Sequence, residues 1–265
     1  MQSNSIPQQR IVEKLDEYMS HRDYAGAERH LLYWLDEALA LGDRRGELMV
    51  RNELVGHFRK TANQEQAFSH AKEALALVGE LGFENTISAG TTYTNTATAF
   101  NAFGENERAI GLFEKAIEVY EASPQTAPHL LGGLYNNMAL ACVALGRFDE
   151  ADVLYQRALE VMGTSEHGEL EQAITYLNMA DAVVSRAKEQ FGGDADAAMQ
   201  DPSCEETVGS LLDTAYQLLD TPSIPRDGYY AFVCEKCAPT FAFYGYFLAD
   251  ENLRTRAKEI YERTS

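Results

Sequence analysis

Cys234 and Cys237, in the stretch "CEKC", are the first residues of this chain that invite chemistry. Their spacing suits a redox dithiol or half of a zinc site. A redox dithiol of this kind sits at a strand-to-helix junction, and zinc would need two more ligands. Only Cys142 and Cys204 remain, at no matching spacing. Cys234, Cys237, Phe241, Tyr244, Gly245 and Leu248 recur at helical steps, which places both thiols on a packing stripe and favours buried, inert cysteines. His21, His30, His57, His70, His129 and His167 are scattered without ligand spacing. No catalytic constellation is formed, so the sequence points away from an enzyme, and it implies no metal and no cofactor.

The amides have more to offer. Asn95 and Asn137 are 42 residues apart, and Asn52, Asn136 and Asn178 have related positions. An asparagine carries a donor and an acceptor on one plane, so it can bond the N–H and C=O of an extended peptide together. It can equally satisfy a neighbouring helix or a water. Which of these applies depends on the elements that carry it.

Those elements are repeated. Beginning at Tyr93 and at Tyr135, two stretches match at Tyr93/Tyr135, Asn95/Asn137, Ala97/Ala139, Gly104/Gly146, Ala109/Ala151, Phe113/Tyr155 and Ala116/Ala158, every pair 42 residues apart. Weaker copies place Ala67 and Ala27 upstream, and Tyr176, Gly245 and Ala257 downstream, making six in all. Within a copy, Tyr135, Met138, Ala139 and Cys142 form one helical stripe. Ala151, Leu154, Tyr155, Ala158, Leu159 and Met162 form another, with Gly146 between them where a tight turn needs positive φ. Small residues at Ala139 and Ala151 let the two helices approach closely. Each pair leaves an apolar face that only a neighbouring pair can cover.

The order of aromatic, small residue, turn glycine, alanine, aromatic and alanine resembles the tetratricopeptide repeat. The long period is similar to that of kinesin light chains and of bacterial peptide-pheromone receptors. The resemblance covers roughly residues 8–265 and implies an all-α, right-handed superhelical array of about six antiparallel helix pairs. Residues 1–10 would be disordered or frayed, and 11–265 a single solenoid domain with an insertion at about 187–202. In such arrays the first helix of each pair lines a concave groove. A second stripe on these helices then carries Thr91, Asn95, Thr98 and Ala102; Gly133, Asn137, Leu140 and Ala144; Ile174, Asn178, Asp181 and Ser185; and, in the last copy, Pro239, Phe243, Tyr246 and Asp250. Peptide-binding members of the family use an asparagine at this position, which the resemblance carries to Asn95, Asn137 and Asn178, with Asn136 and Asn52 beside the row. Phe243 and Tyr246 would close the groove with aromatics, which serve the core packing of a terminal repeat or, alternatively, a pocket for an apolar anchor or a homodimer contact.

Composition bounds the partner. The chain has 265 residues with 41 acidic and 22 basic side chains, for a net charge of −19. Such a surface repels phosphate backbones and anionic lipid, so nucleic acid and membrane are not expected partners, whereas a basic protein or peptide would be attracted. From Val161 to Pro225 stand twelve acidic residues and two basic ones, either a solvated stretch or a docking site for a basic partner. Within it, Gly192-Gly193 should end a helix, and Ser203 with Glu206 reads as a capping box opening the next. The absence of a signal core and of a disulfide framework points to the cytoplasm. The function expected is a protein- or peptide-binding module, an adaptor or regulator. The alternative is a scaffold or homo-oligomer subunit with no groove ligand.

Overall fold

The computed structural model describes residues 5–264. Among the described residues all regular structure is α-helical, in thirteen helices and no strand. Twelve of them form six antiparallel pairs: α1 (Gln8–Ser20) with α2 (Tyr24–Leu41), α3 (Arg44–Lys60) with α4 (Gln64–Glu80), α5 (Ile87–Ala102) with α6 (Asn106–Ala122), α7 (Pro128–Ala144) with α8 (Phe148–Met162), α9 (Glu169–Gln190) with α11 (Pro202–Leu219), and α12 (Gly228–Phe243) with α13 (Phe247–Thr264). The short α10 (Ala195–Met199) lies between α9 and α11, within the inserted stretch.

The chain divides into two compact units, Met1–Thr126 and Ala127–Ser265, each holding three pairs. Residues 1–4 of the expected frayed terminus lie outside the described residues. Ile6 is buried and its backbone N–H donates to Asp43 Oδ2 at 2.9 Å, so the chain is anchored just ahead of α1.

One turn closes every pair. The backbone N–H of the residue after the turn donates to the carbonyl five residues back: Asp23 to Tyr18, Asn63 to Phe58, Glu105 to Phe100, Arg147 to Cys142, Gly193 to Lys188 and Tyr246 to Phe241. This is a Schellman closure, and it needs a left-handed residue. Gly104, Gly146, Gly192 and Gly245 supply it in the later pairs, but Arg22 and Ala62 adopt it, at φ 55° and 57°, in the first two. Side chains set the entry into several helices, though not into α1, α6, α7, α8 or α9. Asp23, Asp43, Asn63, Thr86 and Asp227 each accept a backbone N–H three residues on.

Gly192 and Gly193 end α9 as expected, both at positive φ. The start of α11 corrects the reading of Ser203 as its cap. Asp201 caps it instead, accepting from Ser203 and Cys204, because Pro202 occupies the first turn where a missing N–H does no harm.

Small residues sit where helices meet. Ala97, Ala109, Ala116, Ala139, Ala151 and Ala158 are fully buried. Two glycines make a further repeated contact. Gly90 lies under the Tyr120 ring and Gly132 under the Met162 side chain, and a Cβ at either would overlap its neighbour. Both glycines and both partners are 42 residues apart.

The cysteine stripe is shorter than the sequence suggested. Cys234, Cys237 and Phe241 are buried, but α12 ends at Phe243. The backbone turns at Gly245, which swings Leu248 out to 83% exposure.

Candidate functional site

In the first unit, three of the asparagine and threonine residues singled out by spacing come together. Asn52 on α3 and Thr91 and Asn95 on α5 line one cleft of about 580 Å³, with Arg45, Leu48 and Phe83. Asn52 is only 9% exposed. Its Nδ2 donates to Thr92 Oγ1 at 3.0 Å, while its Oδ1 is buried with no hydrogen-bond partner. Asn95 is half-buried, and its side chain makes no hydrogen bond within the described residues. The Arg45 guanidinium stacks over the Phe83 ring, 5.1 Å from its centroid. Burial, reinforced by Asp16, pushes the Glu53 carboxyl at the cleft edge above the usual carboxylate range. The hydroxyls of Thr91 and Thr98 bond the carbonyls one helical turn back, at 3.1 and 2.8 Å, and Thr91 also meets the Tyr120 hydroxyl at 3.1 Å. Both hydroxyls are thus engaged by their own helix, whereas the Asn95 amide and Asn52 Oδ1 are not hydrogen-bonded within the described residues.

In the second unit the asparagines divide. Asn178 Nδ2 on α9 donates to Asn136 Oδ1 on α7 at 3.1 Å, and Asn136 is buried. Asn137 is half-buried and makes no side-chain hydrogen bond within the described residues. Asp181, one turn beyond Asn178, accepts from the Tyr244 hydroxyl at 2.7 Å. Desolvation raises the Asp181 carboxyl, opposed by that bond. Phe243 ends α12, exposed, with its ring edge-on to Tyr244. Tyr246 lies past the turn and lines a different cleft, against α11. Phe243 and Tyr246 therefore do not share a stripe on one helix, because the helix stops between them.

Arg45, Leu48, Met49 and Phe83 complete the first-unit cleft and were not anticipated. The signal existed for two of them. Stepping back from Asn52 by four and then three residues, the same rule that defined the other stripes, lands on Leu48 and Arg45.

All four cysteines are free and buried. Burial pushes the Cys237 thiol up to about 12, and raises Cys234 as well. Thiols held this far from ionisation are poor nucleophiles and poor ligands. Among the described residues no three His, Cys, Asp or Glu side chains gather as a metal site would require. Among the described residues no helix is long and apolar enough to cross a membrane.

The fourth pair decides the repeat's identity. A sequence model described as "Tetratricopeptide repeat" matches residues 133–161, from the second turn of α7 nearly to the end of α8. The chain carries a tetratricopeptide repeat. A point variant of the kinesin light chain TPR-like repeats from Podosopora anserina has a similar fold, with a TM-score of 0.51 at 15% identity, over 82% of this chain and 95% of that one. BtubC (BKLC) from P. vanneervenii gives 0.50 at 17% identity, over 98% of this chain and 93% of that one. At such identities the likeness is one of fold. Among curated proteins, none matches the sequence. The tetratricopeptide reading accounts for the paired helices, the turn glycines and the buried alanines together.

Proposed function

We propose that this tetratricopeptide-repeat chain is a binding module whose first helices hold a protein or peptide segment in extended form. One observation carries the reading. Asn95 and Asn137 occupy the same repeat position, and of the five asparagines they are the two whose amides make no hydrogen bond within the described residues. Asn52, Asn136 and Asn178 are tied to neighbouring helices instead. A planar amide on an open helix face can take both hydrogen bonds of a peptide unit, and neighbouring apolar surface such as Met49 and Phe83 can select side chains. The chain's −19 charge favours a basic partner and disfavours nucleic acid, and the role is that of a cytoplasmic adaptor or regulator without catalysis.

The test is a random-peptide selection against the wild-type protein, followed by titration of the Asn95→Ala/Asn137→Ala variant. Two amides contributing about 0.5–1.5 kcal/mol each should weaken the selected peptides roughly 5- to 150-fold. Equal affinity for the variant would leave the scaffold or homo-oligomer reading in place.

A further inference from the structure

We propose that a second docking surface, the cleft between α11 and α13, receives a basic protein segment that presents an apolar side chain. This cleft lies between second helices of their pairs, so it is independent of the asparagine-bearing face.

It encloses about 940 Å³ and is walled by Tyr216 on α11 and by Tyr246, Phe247 and Leu248 at the turn into α13. Phe247 and Leu248 are 69% and 83% exposed. Two large apolar side chains this open, beside two tyrosines, form a patch of the kind that marks an interaction site. Its volume admits several side chains.

Charge says which kind of segment fits. Asp213 and Glu251 line the cleft, and neither carboxylate has an ion-pair partner among the described residues, whereas the neighbouring Asp250 and Asp220 are paired with Arg254 and Arg256. No Lys, Arg or His lines the cleft. The α11 helix carries Glu205, Glu206 and Asp213 without one basic residue. Burial raises the Tyr246 hydroxyl, and Asp213 and Glu205 raise it further, so both carboxylates bear on the ring that forms the wall. An apolar floor with an unneutralised acidic rim attracts an apolar anchor flanked by Lys or Arg, and repels an acidic segment or anionic lipid. A second copy meeting this surface with its own would bring Asp213 and Glu251 against their counterparts. A basic partner carries no such penalty.

Fluorescence anisotropy with three short labelled peptides of equal length tests this. One is an amphipathic Leu/Lys sequence, one replaces Lys with Glu, and one replaces Leu with Ser. The Leu/Lys peptide should bind at least about tenfold more tightly than either control. Phe247→Ser/Leu248→Ser should weaken it about tenfold or more, and both positions are exposed, so the fold is retained. Asp213→Asn/Glu251→Gln, near-isosteric, should also weaken it and flatten its salt dependence. Asn95→Ala/Asn137→Ala should leave this binding unchanged, which separates a failure here from a failure of the groove reading. Unaltered affinity in the Phe247/Leu248 variant, or equal binding of the Leu/Glu peptide, would overturn the proposal. So would a concentration-dependent dimer that this variant abolishes, since the occupant would then be a second copy.

Discussion

Asn178 donates its side-chain amide to Asn136 Oδ1 at 3.1 Å, tying the first helix of one pair to the first helix of the next. Asn136 is buried, so the bond replaces water that its oxygen cannot reach. Asn137, its immediate neighbour, lies on a half-open face and makes no side-chain hydrogen bond within the described residues. Asn178→Ala should therefore lower stability by about 1–3 kcal/mol, because it strands a buried acceptor. Asn137→Ala should change it by less than about 0.5 kcal/mol, as surface substitutions do. Urea melts of the two variants compare them directly, and equal losses would show that Asn137 is structural too.

The two glycine contacts should respond unequally to a methyl group. At Gly90 the obstacle is the Tyr120 ring, rigid and hydrogen-bonded to Thr91. At Gly132 it is the flexible end of Met162. Gly90→Ala should destabilise by about 1–3 kcal/mol through overpacking, and Gly132→Ala by clearly less, since Met can find another rotamer. Thermal denaturation of both variants checks the order. A reversed order would mean that the Tyr120 ring moves more freely than its contacts suggest.

Ala62 holds a left-handed turn that later pairs assign to glycine. It is exposed, so its methyl group contributes no packing. Ala62→Gly should stabilise the protein by about 0.5–1 kcal/mol, the left-handed penalty of roughly 1–2 kcal/mol less the added entropy of an unfolded glycine. Gly146→Ala, the converse change, should destabilise. A drop in melting temperature for Ala62→Gly would contradict this account.

His70 is buried, stacked on Phe58 with ring centroids 5.5 Å apart, and Arg51 Nη1 lies 3.4 Å from its Nδ1. Burial, then the Arg51 charge, hold it down at about 4, below the 6.5 of an ordinary histidine, against a smaller opposing effect from Glu73. The native imidazole is thus neutral, and the unfolded chain takes up the proton first. Its contribution is present in full above about pH 6.5 and is lost as the pH falls from 6.5 towards 4, to a total of about 3 kcal/mol. His70→Phe keeps the stacked ring and removes the titration. Denaturant stability of this variant should fall less than that of the wild type between pH 7 and pH 5. Parallel losses would assign the acid sensitivity to other groups.

The regular parts of this fold were legible because period and chemistry coincide. Tyr135, Ala139, Gly146 and Ala151 each answer a local demand, for core, close approach or positive φ, and they recur in Tyr93, Ala97, Gly104 and Ala109. The Gly90–Tyr120 and Gly132–Met162 contacts carried the same 42-residue signature and could have been read from it. The division of the asparagines could not. Asn136 and Asn137 are adjacent and identical, and only the rotation of α7 against α9 decides which one is bonded. The cleft beside Tyr246 was hidden for another reason. Extending the α12 stripe through Gly245 carried Tyr246 onto the wrong surface, because the register is reset wherever a left-handed residue ends a helix.

The fifth pair shows where this architecture accepts extra chain. Its turn follows the same Gly192–Gly193 closure as the other pairs, yet α10 intervenes before α11 resumes the packing. The added length folds back on the pair, with Ala198 buried and Met199 against the core, while α9 and α11 still bury Val184, Val208 and Leu212 in that core. For an engineer, that makes the residues just after Gly193 a natural splice point. A fluorescent reporter or affinity tag inserted there should ride on the repeat without breaking its periodicity, leaving both proposed binding surfaces free to be assayed.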